Sequence, residues 1–109
     1  MVKLEGPFPF RGEVVWLTEE QGGRTSGPPV ADDRSDYAVT AFVPPATVST
    51  GLASFVLRGF AAGAWRSSAE GCWLVVENRD EYSVVPGTVV AVTEGPRVVA
   101  YFIVNDVVA

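Results

Sequence analysis

The residues best equipped for chemistry in this chain are arginines set in turn-forming loops. Glu20-Gln21-Gly22-Gly23-Arg24 follows the apolar run Val14-Val15-Trp16-Leu17, and Glu94-Gly95-Pro96-Arg97 follows Val89-Val90-Ala91-Val92. A guanidinium carries a planar fork of donors that fits a carboxylate or a phosphate in bidentate fashion. Arg24 and Arg97 could therefore present themselves to an anionic partner, or each could pin its own loop by pairing with Glu20 and Glu94 respectively. The local pairing is the expected arrangement. Arg34, in Asp33-Arg34-Ser35-Asp36-Tyr37, and Trp65, in Gly63-Ala64-Trp65-Arg66-Ser67-Ser68, complete the candidate set. A loop Trp beside an Arg has the composition of an interface hot spot. Gly22, Gly23 and Gly95 are expected to supply the positive φ that tight strand connections need.

Catalytic chemistry finds little to work with. The chain has no His, which removes the commonest general base and metal ligand. Asp32-Asp33 with Asp36, and Asp80-Glu81 beside Arg79, lack the spacing of a calcium loop and read as solvated loop charge. Ser49, Ser54, Ser67 and Ser68 have no His to activate them. Cys72, followed by Trp73-Leu74-Val75-Val76, reads as a small buried hydrophobe. No catalytic residue, cofactor or metal site is expected, so the chain does not read as an enzyme.

Charge narrows the partners. Eight basic residues face thirteen acidic ones, for a net charge of -5. Nucleic-acid affinity comes from neutralising phosphates, so this balance disfavours RNA or DNA, although seven Arg could still gather locally. A protein partner is favoured. At 109 residues, 48% of them hydrophobic and 19% charged, the chain reads as one ordered domain over 1–109 with an N-terminal arm over 1–11. It carries no apolar run of bilayer length and no signal-peptide core. With one Cys it can form no internal disulfide, and a reducing cytoplasm is the natural compartment.

The elements that must position these side chains are strands. Residues 13–18, 37–43, 54–60, 72–77, 88–93 and 98–108 are short, β-branched and aromatic, bounded by Gly and Pro. Between them, 22–35, 44–51, 61–71 and 78–87 are rich in turn formers. No window shows a capped helical period. Six strands predict an all-β barrel or sandwich, with closure removing exposed edges. Val98-Val99-Ala100-Tyr101-Phe102-Ile103-Val104 is apolar on both faces, so loops, a second layer or a homodimer must cover its outer side. Trp16, Trp73 and Tyr101 are expected in the core, while Phe8 and Phe10 could cap the barrel or serve as a docking arm.

The segment Phe10-Arg11-Gly12-Glu13-Val14-Val15-Trp16-Leu17-Thr18-Glu19-Glu20-Gln21-Gly22-Gly23-Arg24 resembles the opening of the C-terminal, third domain of elongation factor Tu. Arg34 and Tyr37 fall where that family carries a Tyr-Arg-Pro-x-Phe segment, with Ser35 here in place of the Pro. Gly87-Thr88-Val89-Val90-Ala91-Val92-Thr93-Glu94-Gly95-Pro96-Arg97-Val98-Val99 resembles its closing hairpin, with Thr93 for the Arg and Pro96 for the second Gly. The resemblance spans 10–108 but is carried by the two ends. It implies a six-stranded antiparallel Greek-key barrel whose equivalent end, in the family, helps hold transfer RNA. Pro96 removes a backbone donor and Thr93 a charge, both against RNA binding. There is no phosphate-binding Gly-rich loop ending in Lys and Ser or Thr.

The sequence therefore points to a non-catalytic binding module, an adaptor or inhibitor engaging a protein through Arg24, Arg34, Trp65 and Arg97, of which an immunity or antitoxin protein is one specific version. A translation-linked, transfer-RNA-binding domain is the alternative. The observation that bears most on the choice is whether Arg24, Arg34, Trp65 and Arg97 share one exposed face.

Overall fold

The computed structural model describes residues 8–29, 36–44, 47, 52–74 and 84–108. Its strands are β1 (Phe10–Trp16), β2 (Tyr37–Phe42), β3 (Ala53–Arg58), β4 (Arg66–Trp73), β5 (Val89–Glu94) and β6 (Arg97–Val107), with a 3-10 turn at Glu19–Gln21. Val, aromatic and Thr side chains suit a pleated surface with a buried face, and these runs pair antiparallel throughout. The sheet closes on itself in the order β1-β4-β3-β2-β5-β6. Strands β2, β3 and β4 follow one another as neighbours, while β1 lies beside β4, the arrangement of a Greek key. The fold is thus all-β, a closed six-stranded antiparallel barrel.

Alternation along each strand sends one set of side chains inward. Val14 and Trp16 of β1, Phe55 and Leu57 of β3, Val90 and Val92 of β5, and Ala100, Phe102 and Val104 of β6 are buried. Aromatic rings fill the interior: Phe55 lies against Phe10 at 6.3 Å, Phe102 at 6.0 Å and Trp73 at 4.8 Å between centroids. Rings of that size need small residues opposite. A Cβ at Gly71 would stand 2.6 Å from Phe55 Cζ, and Ala69, two residues earlier, is also buried.

That demand for small residues explains where the sequence expectation fails. The fourth strand was expected over 72–77, with a loop over 61–71; it runs over Arg66–Trp73 instead. Arg66, Ser68 and Glu70 lie on its outer face and Ala69 and Gly71 on its inner one, so it lacks the β-branched signature that marks the other five. Residues 75–77 lie outside the described residues.

Two further expectations are corrected. Tyr101 faces outward and is 39% exposed, in register with Val15 of β1 and Ala91 of β5, which in turn faces Phe42 of β2. The two-sided apolar character of β6 thus belongs to an outer wall shared by four strands. Phe8 and Phe10 are both buried. Phe10 belongs to the interior, and the Phe8 ring centroid lies 3.8 Å from Arg58 Cζ, so neither is a free docking arm.

Candidate functional site

Antiparallel alternation brings the β1–β2, β3–β4 and β5–β6 connections to the same end of the barrel, and the candidate residues arrive with them. The first connection is built by a capping box: Gln21 N–H donates to Thr18 Oγ1 at 3.2 Å, and Thr18 N–H to Gln21 Oε1 at 2.9 Å. Gly22 then takes φ 93°. Gly23 does not have positive φ; what it needs is space, because a Cβ there would collide with the Leu17 carbonyl. Its N–H donates to Thr18 O at 2.8 Å.

This path aims Arg24 across the barrel mouth. Its Nε lies 3.0 Å from Glu94 Oε2, and its Nη1 donates to Gly27 O at 3.0 Å. Arg97 reaches back, Nη1 to Gly23 O at 3.4 Å, a long and weak hydrogen bond. The expected local pairs, Glu20 with Arg24 and Glu94 with Arg97, are thus replaced by a crosswise clasp of two loops. Glu94 and Arg97 are register partners across the β5–β6 turn, but the less exposed Arg24 takes the carboxylate. Arg97 itself stays exposed and pairs with no carboxylate among the described residues.

Trp65 joins the same end from the β3–β4 connection. Its carbonyl accepts from Trp16 N–H at 2.8 Å, and its ring passes beside Gly27, with Cη2 3.6 Å from where a Cβ would stand. The side chain is nevertheless 48% exposed. With Thr18, Glu19 and Glu20 it borders an open hollow of about 750 Å³. A second hollow, of about 350 Å³, lies between Arg24, Thr25, Ser26, Glu94, Pro96 and Arg97. Arg24, Trp65 and Arg97 therefore share one end, with Arg24 engaged in the clasp. Arg34 lies outside the described residues.

The floor beneath is aromatic. Trp16, Tyr37 and Phe60 meet edge to face with centroids 5.6, 5.6 and 6.0 Å apart, and Arg24 Cζ stands 6.0 Å from the Tyr37 ring. Trp16 Nε1 and Tyr37 OH are buried without a hydrogen-bond partner among the described residues.

Sequence reasoning missed two features. Asp36 is not solvated loop charge: it is 2% exposed and binds Arg58 in bidentate fashion, Nε to Oδ1 at 2.8 Å and Nη2 to Oδ2 at 2.9 Å. The hydrogen bond to Asp36 is the main cause that raises the Arg58 pKa, against an opposing burial effect. Only the register pairing Tyr37 with Leu57 puts these two side by side. The capping box of Thr18 and Gln21, which sets Glu19 and Glu20 in its first turn, was also overlooked, although Thr18-x-x-Gln21 is a legible capping signal. Asp32, Asp33, Asp80, Glu81, Arg79 and Ser49 lie outside the described residues. Cys72 is half-buried, and burial pushes its thiol pKa up while Arg58 pulls more weakly the other way. A thiol so placed is a poor nucleophile.

Among the described residues no cluster of metal-ligating side chains forms, and no helix is long and apolar enough to cross a membrane. The chain matches no protein-family model, no curated protein and no solved structure.

Proposed function

We infer that this chain is a non-catalytic protein-binding module of the cytoplasm, an adaptor or inhibitor that engages its partner through the mouth of the barrel. The proposal includes descent from a barrel like the third domain of elongation factor Tu, which rests on the two Gly-and-Arg loops. One observation carries the reading: Trp65 stands half exposed at the end where the loop clasp leaves Arg97 without a carboxylate among the described residues. A large aromatic side chain and an unpaired guanidinium are the residue types that dominate interface energetics. A net charge of -5 suits a basic surface, as an immunity or antitoxin protein would meet on its toxin.

Affinity purification at endogenous level with mass spectrometry tests this. A single protein should co-purify with the wild-type chain and be lost from the Trp65→Ala/Arg97→Ala double variant, whose circular dichroism should be unchanged because both side chains are exposed. Recovery of the monomer alone would refute it. Salt-sensitive recovery of transfer RNA would put the RNA-binding alternative in its place.

A further inference from the structure

We propose that the hollow beside Trp65 receives a cationic side chain, an arginine or lysine, presented by the partner protein. This rests on the protein-binding reading above and names the chemistry of its contact.

Among the described residues the hollow is bordered by Thr18, by the exposed indole of Trp65 and by two exposed carboxylates, Glu19 and Glu20. The two glutamates stand in the first turn of the 3-10 segment, which the Thr18 capping box holds in place and which has no basic residue in its last turn. Among the described residues, two cations at this end of the barrel are engaged elsewhere. Arg66, adjacent to Trp65, pairs with Glu13, and Arg24 pairs with Glu94. Among the described residues no ion pair involves Glu19 or Glu20. The result is an electronegative notch whose wall is a π-face, itself negative at its centre.

A cation answers both features at once. It is attracted by the indole quadrupole and neutralises the carboxylates, which net acidity of the whole chain reinforces at longer range. Arginine fits better than lysine, since a planar guanidinium can stack on the ring while its edge donors reach carboxylate oxygens. Trp65 is also suited to hold its position: its backbone carbonyl is tied to Trp16 and its ring edge rests at Gly27. Less ordering is then required on binding.

The test is a titration of the full, ¹⁵N-labelled chain at low salt with hexa-arginine, with hexaglutamate as control. The three tryptophans give three indole N–H signals, and Trp65→Phe identifies the one that matters. The Trp65 signal should shift saturably with hexa-arginine and stay still with hexaglutamate. Glu19→Gln/Glu20→Gln should weaken binding about fivefold, and Trp65→Ala, followed through the Glu19 and Glu20 amides, about threefold. An unchanged Gly23 amide position in each variant shows that the loop remains folded. An unmoved Trp65 signal, or full affinity in the double glutamate variant, overturns the proposal. The titration decides it whether or not co-purification finds a partner. A partner that is lost from Trp65→Ala yet held fully by Glu19→Gln/Glu20→Gln would also overturn it, while leaving the binding-module reading intact.

Discussion

Arg24, Arg58 and Arg97 carry the same guanidinium into three different roles, and burial decides among them. Arg97 is exposed and holds only a long bond to a carbonyl. Arg24, with 23% of its side chain exposed, is fixed by a carboxylate and a carbonyl. Arg58 faces a carboxylate that is almost wholly buried, where an uncompensated charge is costly. Arg58→Ala should therefore destabilise the barrel by about 3 kcal/mol, the low end for breaking a buried pair, because the outer edge of Arg58 still meets water. Urea denaturation measures it. Arg58→Lys, which keeps the charge and loses the fork, should fall between, and replacing Asp36 and Arg58 together by Leu and Met should recover most of the loss. A loss under 1 kcal/mol for Arg58→Ala would mean that Asp36 is solvated after all. The residue-scale site was legible only as far as composition reaches: Trp65 and the loop arginines stand out by type and setting. Their pairing was not legible, because Glu20 and Glu94 each have an Arg within four residues in sequence and only the fold sets Arg24 opposite Glu94.

Elements explain the rest of what was and was not legible. Five strands announce themselves by β-branched and aromatic runs between Gly and Pro, since those side chains make the wall of the barrel. The fourth carries Ser, Ala and Gly because Phe55 and Phe102 occupy the space in front of it, a constraint that exists only once the sheet has closed. The Greek-key connection has its own consequence at this scale. The β1–β2 loop must cross the mouth, and it is fixed there by the β5–β6 turn through Arg24 and Glu94. A double-mutant cycle on these two residues should give a coupling of about 0.5–1 kcal/mol, as a partly exposed ion pair does. The cycle on Arg24 and Glu20 should give about zero. The reverse result would restore the local pairing that sequence spacing suggests. Because Trp65 rests beside Gly27, the Arg24→Ala chain should also show a displaced Trp65 indole signal, which Glu20→Ala should not.

For the whole molecule, closure is the step that joins distant parts of the chain. Phe10 pairs with Gly71 on one side and Val107 on the other, whereas β5 and β6 meet across a turn of two residues. The entropy of bringing ends together grows with the length of chain between them, so short hairpins can form before β1 is captured between β4 and β6. Topologies dominated by such non-local pairings fold in milliseconds to seconds. Two buried valines separate the stages. Val90 lies in the β5–β6 hairpin and Val14 in β1, and both have zero exposure. Truncating each to Ala should cost about 2 kcal/mol, well above the threshold at which a φ-value can be read. Val90→Ala should slow folding, with φ of about 0.5 or more, whereas Val14→Ala should chiefly speed unfolding, with φ of about 0.2 or less. Stopped-flow chevrons in urea provide both numbers. A Val14 φ equal to or above that of Val90 would place closure in the transition state and make capture of β1 the nucleating event. The ordering matters for the mouth as well, since the clasp between Arg24 and Glu94 needs β1 and β5 in the same barrel. The Trp65 surface should then be assembled only after closure, so that no partially closed form presents it to a partner.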